Sequence, residues 1–191
     1  MIRAFIGVRI ELKTVENISE ALSHLKPRIP GVRWVTKDNF HFTVKFLGEI
    51  EEARIEPISH ALEGALRLFP CFVINAKGLG VFPDLKRPRV LWVGLESKSL
   101  SALVSAVEKA LEPLGFGREK RGFTPHLTVG RWRQFQGSSK QLGNDIDQWK
   151  NHEFGKSLVN EAILFQSILK PEGAVYQPLR ILALTDRPPL N

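Results

Sequence analysis

The chain has 191 residues, of which 43% are hydrophobic and 25% are charged, a balance typical of a globular protein with a substantial core. No apolar run approaches the roughly 20 residues that a membrane-spanning helix needs, which argues against an integral helical membrane protein. The formal net charge of +7 slightly favours a polyanionic ligand such as a nucleic acid, and simple solubility is the alternative reading.

The sequence of the first half of the chain predicts two strands, each of which is followed by a helix. Alternation of apolar and polar residues over 2–10 predicts the first strand. Apolar residues at helical spacing then predict a helix with Thr14 as its N-cap, ending before Pro27. A second alternating segment, 39–47, predicts another strand, and residues 54–68 predict a second amphipathic helix.

The middle of the chain predicts two strands and a helix. The strands cover 71–77 and 89–96, and a loop rich in glycine, proline, lysine and arginine joins them over 78–88. The helix covers 100–114 and is followed by Gly115, a typical stop signal.

The last third predicts a strand and a hairpin. The strand covers 125–130, whereas the polar segment 134–151 receives no assignment. Two apolar runs, 158–169 and 174–185, flank the turn-forming residues 170–173 and predict a β-hairpin, followed by a short tail over 187–191.

The only cysteine is Cys71, so an internal disulfide is impossible. Because no secretion signal follows Met1, the expected compartment is the reducing cytoplasm. We also expect the protein to be a monomer. Cys71 precedes an apolar run, which predicts a buried, small apolar side chain.

Two segments of the chain repeat one order of elements. A strand at 4–8 and a helix lead to the tetrapeptide 41–44, and a strand at 91–95 and a helix lead to the similar tetrapeptide 126–129. Because the number of residues between the strand and the histidine is almost the same in both segments, the pattern indicates an internal duplication. It predicts two lobes related by a pseudo-twofold axis, with equivalent strands facing each other across a cleft.

Each repeat ends in a His-x-Thr motif, and strand geometry places the two polar residues of each motif on one face. In the first copy, one face carries Asn39, His41, Thr43 and Lys45, and the other carries Phe40, Phe42, Val44 and Phe46. In the second copy, His126 and Thr128 share a face. We predict that the aromatic set packs inward and that the histidines and threonines face the cleft or the solvent.

Two opposed imidazoles suit a displacement at phosphorus, because one can accept a proton while the other donates one. A threonine hydroxyl can donate to a phosphoryl oxygen without repelling its charge. This chemistry needs no metal and no other cofactor. Zinc binding is the competing interpretation of a histidine pair, but zinc normally needs three or four ligands, and neither motif offers them nearby.

Several segments resemble the two-histidine (2H) phosphoesterase superfamily, and within it the prokaryotic RNA 2′,3′-cyclic phosphodiesterases, also called 2′–5′ RNA ligases. These segments are 3–8, 39–48, 87–94, 123–131 and 169–176. The similarity covers essentially the whole chain, and residues 134–155 match least. It implies an α+β fold, in which antiparallel sheets form two lobes around a central cleft with helices outside. It also implies a single domain, 1–191, with one motif per lobe at 41–44 and 126–129.

The resemblance further implies hydrolysis of an RNA or nucleotide 2′,3′-cyclic phosphate to a 2′-phosphomonoester. His41 would be the proton donor and His126 the proton acceptor, with Thr43, Thr128 and Arg131 binding the substrate. Strand parity alone sends Arg131 to the apolar side. The preceding glycine, however, permits a bulge that redirects Arg131 into the cleft.

Some alternatives stay open at this point. The same proton transfers serve the reverse reaction, which forms a 2′–5′ link between RNA fragments, and a non-catalytic RNA-binding protein is the rival from another class. Two sets of side chains could contact RNA or could instead be solvated or packed: Lys86, Arg87 and Arg89 in the basic loop, and the aromatic residues Trp92, Trp132 and Tyr176.

Overall fold

The computed structural model describes residues 1–119, 122–171 and 173–186. The helices are α1 (Leu12–Leu25), α2 (Ile55–Leu66), α3 (Leu100–Leu111) and α4 (Ser139–Asp147). The strands are β1 (Ile2–Arg9), β2 (Val32–Trp34), β3 (His41–Ile50), β4 (Phe72–Phe82), β5 (Val90–Glu96), β6 (His126–Trp132), β7 (Glu153–Val159), β8 (Glu161–Lys170) and β9 (Gly173–Ala183). None of the helices in these ranges is long and apolar enough to cross a membrane.

The strands pair antiparallel in the order β7-β4-β5-β6-β3-β1-β8-β9, with β2 beside β6. The two central strands, β3 and β6, meet at a single residue pair, Phe42 opposite Leu127. The order on either side of this contact is equivalent, since β1 lies next to β3 as β5 lies next to β6. We call β3, β1, β8 and β9 the first lobe, and β6, β5, β4, β7 and β2 the second lobe. The predicted α+β fold with two lobes is confirmed.

The two repeats exchange elements between the lobes. Strand β4 follows the first repeat but pairs with β5, whereas β8 follows the second repeat but pairs with β1. Helix α1 packs against β7 in the second lobe, and α3 packs against β3 in the first. Hydrogen bonds support the first of these contacts, because the Thr14 hydroxyl donates to the Lys156 carbonyl (2.9 Å) and the Asn17 amide donates to the Phe154 carbonyl (2.7 Å).

The helices are amphipathic and bury one face each in a core that both lobes share. Helix α1 buries Val15, Ile18, Leu22 and Leu25. Helix α3 buries Leu100, Leu103, Val104, Val107 and Leu111. These spacings of three and four residues are those of one helical face, as the apolar periodicity predicted.

Several predicted boundaries differ from the observed ones, among them the end of the strand predicted over 39–47, which continues to Ile50. Helix α1 begins at Leu12 after the N-cap residue Glu11, so Thr14 lies inside the first turn and its hydroxyl bonds to β7 instead. Strand β4 runs to Phe82, beyond the predicted end at residue 77, because a bulge at Gly78 (φ +72°) continues the pairing. The apolar run 158–169 is divided at Asn160 between β7 and β8.

The structure also adds elements that the sequence did not indicate. The unassigned polar segment contains α4, whose N-cap Ser138 accepts a hydrogen bond from the Gln141 amide (3.3 Å).

The hairpin of β8 and β9 is confirmed, although Glu172 in its turn and the predicted tail 187–191 lie outside the described residues. Cys71 is only half-buried, and its thiol donates to the Asp186 carboxylate (3.2 Å).

Candidate active site

The four polar motif residues lie on one face of the central strand pair. Phe42 and Leu127, which face each other in the register, are both fully buried. This pair joins the two motifs at their middle residues, so His41 and Thr43 flank it on β3 and His126 and Thr128 flank it on β6. These four side chains are half-buried and lie on the opposite face from Phe42 and Leu127. The pairing of β3 and β6 therefore brings the two predicted motifs together.

Both motif strands contain a bulge at the same position. In β3, Gly7 pairs with Thr43 and Ile6 pairs with Lys45, so Val44 is the extra residue. In β6, Thr128 pairs with Trp92 and Gly130 pairs with Leu91, so Val129 is the extra residue. Because each bulge reverses strand parity, the residue two positions after the extra valine returns to the cleft face.

In the second motif, this bulge directs Arg131 to the cleft face, as the sequence predicted. Val129 and Gly130 are both buried, and Arg131 is exposed. Gly130 also lets β2 approach, since a Cβ atom there would lie 2.5 Å from the Cγ1 atom of Val32. A side chain at this position would require the Val32 side chain to move.

In the first motif, the same bulge overturns the predicted faces of two residues. Lys45 was predicted on the polar face but is buried, and Phe46 was predicted to pack inward but is 60% exposed. The Lys45 ammonium donates to the Glu108 carboxylate (3.3 Å) and to the Gly117 carbonyl (2.7 Å). Strand alternation predicted the wrong faces because no glycine directly follows Thr43 to signal a bulge.

The two histidines are oriented in the same way. The Nδ1–H of His41 donates to the Asn39 carbonyl (2.7 Å), and the Nδ1–H of His126 donates to the Thr124 carbonyl (2.8 Å). We assign the proton to Nδ1 because a carbonyl can only accept, and this leaves Nε2 of each ring for a substrate. The Thr43 hydroxyl lies 3.3 Å from Nε2 of His41.

Aromatic rings support both imidazoles. The ring of His41 lies 4.9 Å from Phe5 and 4.8 Å from Tyr176 between centroids. In the second lobe, the ring of Phe82 meets the edge of His126 at 5.0 Å and also packs on Trp92. Each imidazole therefore packs against at least one aromatic ring.

The pKa of His41 is lowered from 6.5 to about 4, chiefly by burial and to a smaller degree by the charges of Arg131 and His126, whereas the bond to the Asn39 carbonyl opposes the shift. Burial also lowers the pKa of His126, with a further contribution from Arg131. Both imidazoles are therefore neutral at pH 7 in the free protein. Arg131 therefore lies near enough to both imidazoles to lower both pKa values.

The other candidate residues lie elsewhere or are packed. Lys86 and Arg87 belong to a turn in which the Asp84 carboxylate accepts both backbone amides (2.8 and 3.0 Å), and both side chains are exposed on the second lobe. Trp132 is buried and donates to the Pro30 carbonyl (3.2 Å). Over the described ranges, no group of three or more histidine, cysteine, aspartate or glutamate side chains could hold a metal ion.

The sequence did not indicate a cavity of about 600 Å³ beside the first motif. Its walls include Arg3, Arg33, Phe46, Arg131 and Tyr176. These residues come from strands that are distant in the chain, so no local pattern could have revealed the cavity.

Known proteins resemble this chain in sequence and in fold. Residues 12–92 match the family described as LigT like Phosphoesterase. The chain is 33% identical over 184 residues to an RNA 2′,3′-cyclic phosphodiesterase of Methanothermobacter thermautotrophicus, covering 96% of this chain and 99% of that protein. It is 35% identical over 181 residues to the protein of the same name from Aquifex aeolicus, covering 92% and 94%.

Solved structures show the same fold. A protein of Thermus thermophilus superposes with a TM-score of 0.81 at 26% identity, covering 96% of this chain and 98% of that one. E. coli LigT complexed with 3′-AMP superposes with a TM-score of 0.76 at 23% identity and the same coverage, a likeness of fold alone. On its identity to these relatives over nearly its whole length, the chain belongs to the LigT-like phosphoesterase family.

Proposed function

We propose that this protein hydrolyses the 2′,3′-cyclic phosphate of an RNA end or a nucleotide to a 2′-phosphomonoester. The family membership and the names of the relatives support this reaction. The observation that carries the proposal is the pair of equivalent imidazoles, each held through Nδ1 by a carbonyl two residues earlier, with Nε2 left for the substrate. An RNA-binding protein without activity needs no such pair.

In the proposed reaction, Nε2 of His126 accepts a proton from water while the water oxygen bonds to phosphorus. The bond between phosphorus and the sugar 3′ oxygen breaks, and Nε2 of His41 donates its proton to that oxygen. The products are a 2′-phosphate and a 3′ hydroxyl. The Thr43 and Thr128 hydroxyls and the Arg131 guanidinium would stabilise the charge on the other phosphoryl oxygens.

The low pKa of His41 favours its neutral form in the free protein, whereas a proton donor must carry the proton. A phosphate anion beside Nε2 of either histidine raises its pKa, because the charged imidazole gains an opposite charge nearby. We therefore assign protonated His41 to the complex with substrate. The assignment of donor and acceptor rests on the family resemblance.

The central test is an assay of RNA ending in a 2′,3′-cyclic phosphate, performed in EDTA. We expect full activity and a 2′-phosphomonoester product, identified by chromatography against both isomers. The expectation of metal independence follows from the proton transfers, which use imidazoles alone. Loss of turnover in EDTA with recovery on adding Zn²⁺ or Mn²⁺ would contradict the mechanism. No product under any condition would favour RNA binding without catalysis.

The pH dependence gives a second test. The reaction needs one imidazole protonated and the other neutral, and kcat/KM reports the pKa values of the free enzyme. Because both pKa values lie below 6.5, we expect a bell-shaped profile with its maximum below pH 6.5. Arg131→Gln should move both limbs to higher pH, since it removes a positive charge that lowers both values. A wild-type maximum above pH 7.5 would contradict the proposed ionisations.

We further propose that residues 1–191 act as a single domain with one motif per lobe, as a cytoplasmic monomer. The exchange of strands and helices between the lobes supports the single domain. The compartment rests on the single cysteine, and the monomeric state remains a prediction.

A further inference from the structure

The cavity beside the first motif is basic. Arg3, Arg33, Arg131 and Lys170 contribute to its walls, and none of the described residues that line it is an aspartate or a glutamate. Several cations around one concave surface attract a polyanion, and the absence of acidic side chains from these walls removes competition for the cations. Strands β1, β8 and β9 of the first lobe line one side of the cavity, and β2 with Arg131 of the second lobe lines the other.

Phe46 gives this cavity an open aromatic surface. Its side chain is 60% exposed, and the bulge at Val44 directs it to the cleft face, where the second motif has Arg131. The Phe46 ring lies 6.1 Å from the ring of Phe5, which in turn lies 4.9 Å from the ring of His41. An exposed aromatic ring in a cavity beside the first motif can stack on a nucleobase.

Arg3 and Arg33 differ in their hydrogen bonds. The Arg33 guanidinium donates to the Pro171 carbonyl (2.8 Å) and so connects β2 to the turn of the hairpin. Arg3 is exposed and, within the described ranges, forms no hydrogen bond or ion pair through its side chain. A guanidinium in a basic cavity without a protein partner is well suited to bind a phosphodiester.

We propose that the cavity binds the 3′-terminal nucleoside of an RNA together with the phosphodiester on its 5′ side. The terminal base stacks on Phe46, and the next backbone phosphate binds Arg3. The preferred substrate is therefore an RNA end of at least two nucleotides. The inference rests on the proposed function and specifies its substrate.

The test compares two substrates, adenosine 2′,3′-cyclic phosphate and the dinucleotide ApA ending in a 2′,3′-cyclic phosphate. The mononucleotide offers a base but no phosphodiester, whereas the dinucleotide offers both. The variants are Arg3→Gln, Phe46→Leu and, as a control that removes the same charge from an exposed position outside the cavity, Arg67→Gln. Thermal unfolding of each variant checks that the fold is retained.

We expect the wild-type protein to prefer the dinucleotide by about tenfold in kcat/KM. Arg3→Gln should lower kcat/KM about tenfold on the dinucleotide only, through KM, because the lost contact is remote from the reacting bonds. Phe46→Leu should lower kcat/KM about tenfold on both substrates, since both carry the terminal base. Arg67→Gln should change neither.

Equal effects of Arg3→Gln and Arg67→Gln, or equal losses on both substrates with Arg3→Gln, would overturn the phosphodiester site. An unchanged KM in Phe46→Leu would overturn the stacking. If the wild-type protein hydrolysed neither substrate, the proposed function itself would fail, and the inference with it, so the two failures are distinguishable.

Discussion

Replacement of His41 or His126 by alanine is expected to lower the rate of cyclic phosphate hydrolysis by about 10²–10⁴, the usual contribution of one proton-transfer group. Both side chains are half-buried on the cleft face, and neither contributes to the packed core, so the variants should fold. Thr43→Ala and Thr128→Ala should cost less, about tenfold each, because each removes one neutral hydrogen bond. The measurement is kcat/KM on a cyclic mononucleotide.

His60→Ala is the matched control, since His60 is exposed on α2 and should leave the rate unchanged. A substrate in which sulfur replaces the leaving 3′ oxygen separates the two roles, because a thiolate leaves with little help from an acid. This substrate should rescue His41→Ala substantially and leave His126→Ala impaired. Rescue of His126→Ala instead would reverse the assignment, and full activity of either alanine variant on the natural substrate would refute the mechanism.

Glu108→Ala is expected to lower the free energy of unfolding by about 3–5 kcal/mol. The carboxylate of Glu108 lies on α3 and accepts hydrogen bonds from the Lys45 ammonium (3.3 Å) and the Glu119 amide (2.8 Å). The side chains of Lys45 and Glu108 are 3% and 12% exposed, so removal of the carboxylate leaves a buried positive charge without its counterion. Urea unfolding followed by circular dichroism measures the loss.

Two controls test whether the unpaired charge causes this loss. The exposed ion pair of Glu112 with Arg118 (3.0 Å) is screened by water, so Glu112→Ala should cost less than about 1 kcal/mol. The double variant Lys45→Met with Glu108→Leu should recover most of the stability, because it removes both charges and fills the site with apolar groups. Equal losses in the free energy of unfolding for Glu108→Ala and Glu112→Ala would show that the buried ion pair stabilises the fold no more than the exposed one.

Sequence reasoning located the motif residues because their arrangement depends on local geometry. Alternation along a strand places His41 and Thr43 on one face whatever the neighbouring strands are, and the repeated motif suggested a shared cleft. The redirection of Arg131 was also predictable, since a glycine precedes it and permits a bulge.

The remaining features depend on contacts between distant parts of the chain. The bulge at Val44 arises in the pairing of β3 with β1 and has no glycine to signal it, so the positions of Lys45 and Phe46 were predicted on the wrong faces. Strand β2 is too short to show alternation, yet it forms one wall of the cavity. Helical periodicity shows which face of a helix is buried but not the strand that covers it, so the packing of α1 on β7 was unforeseeable.

Half of this chain would not fold by itself. A fragment ending at Phe82 would have a β4 strand without its partner β5, and its α1 helix would expose an apolar face that β7 now covers. A second copy of the fragment could restore only the strand pairing, because its β1 is equivalent to β5, whereas the fragment contains neither β7 nor its equivalent β9. The second half of the chain is therefore needed to cover α1.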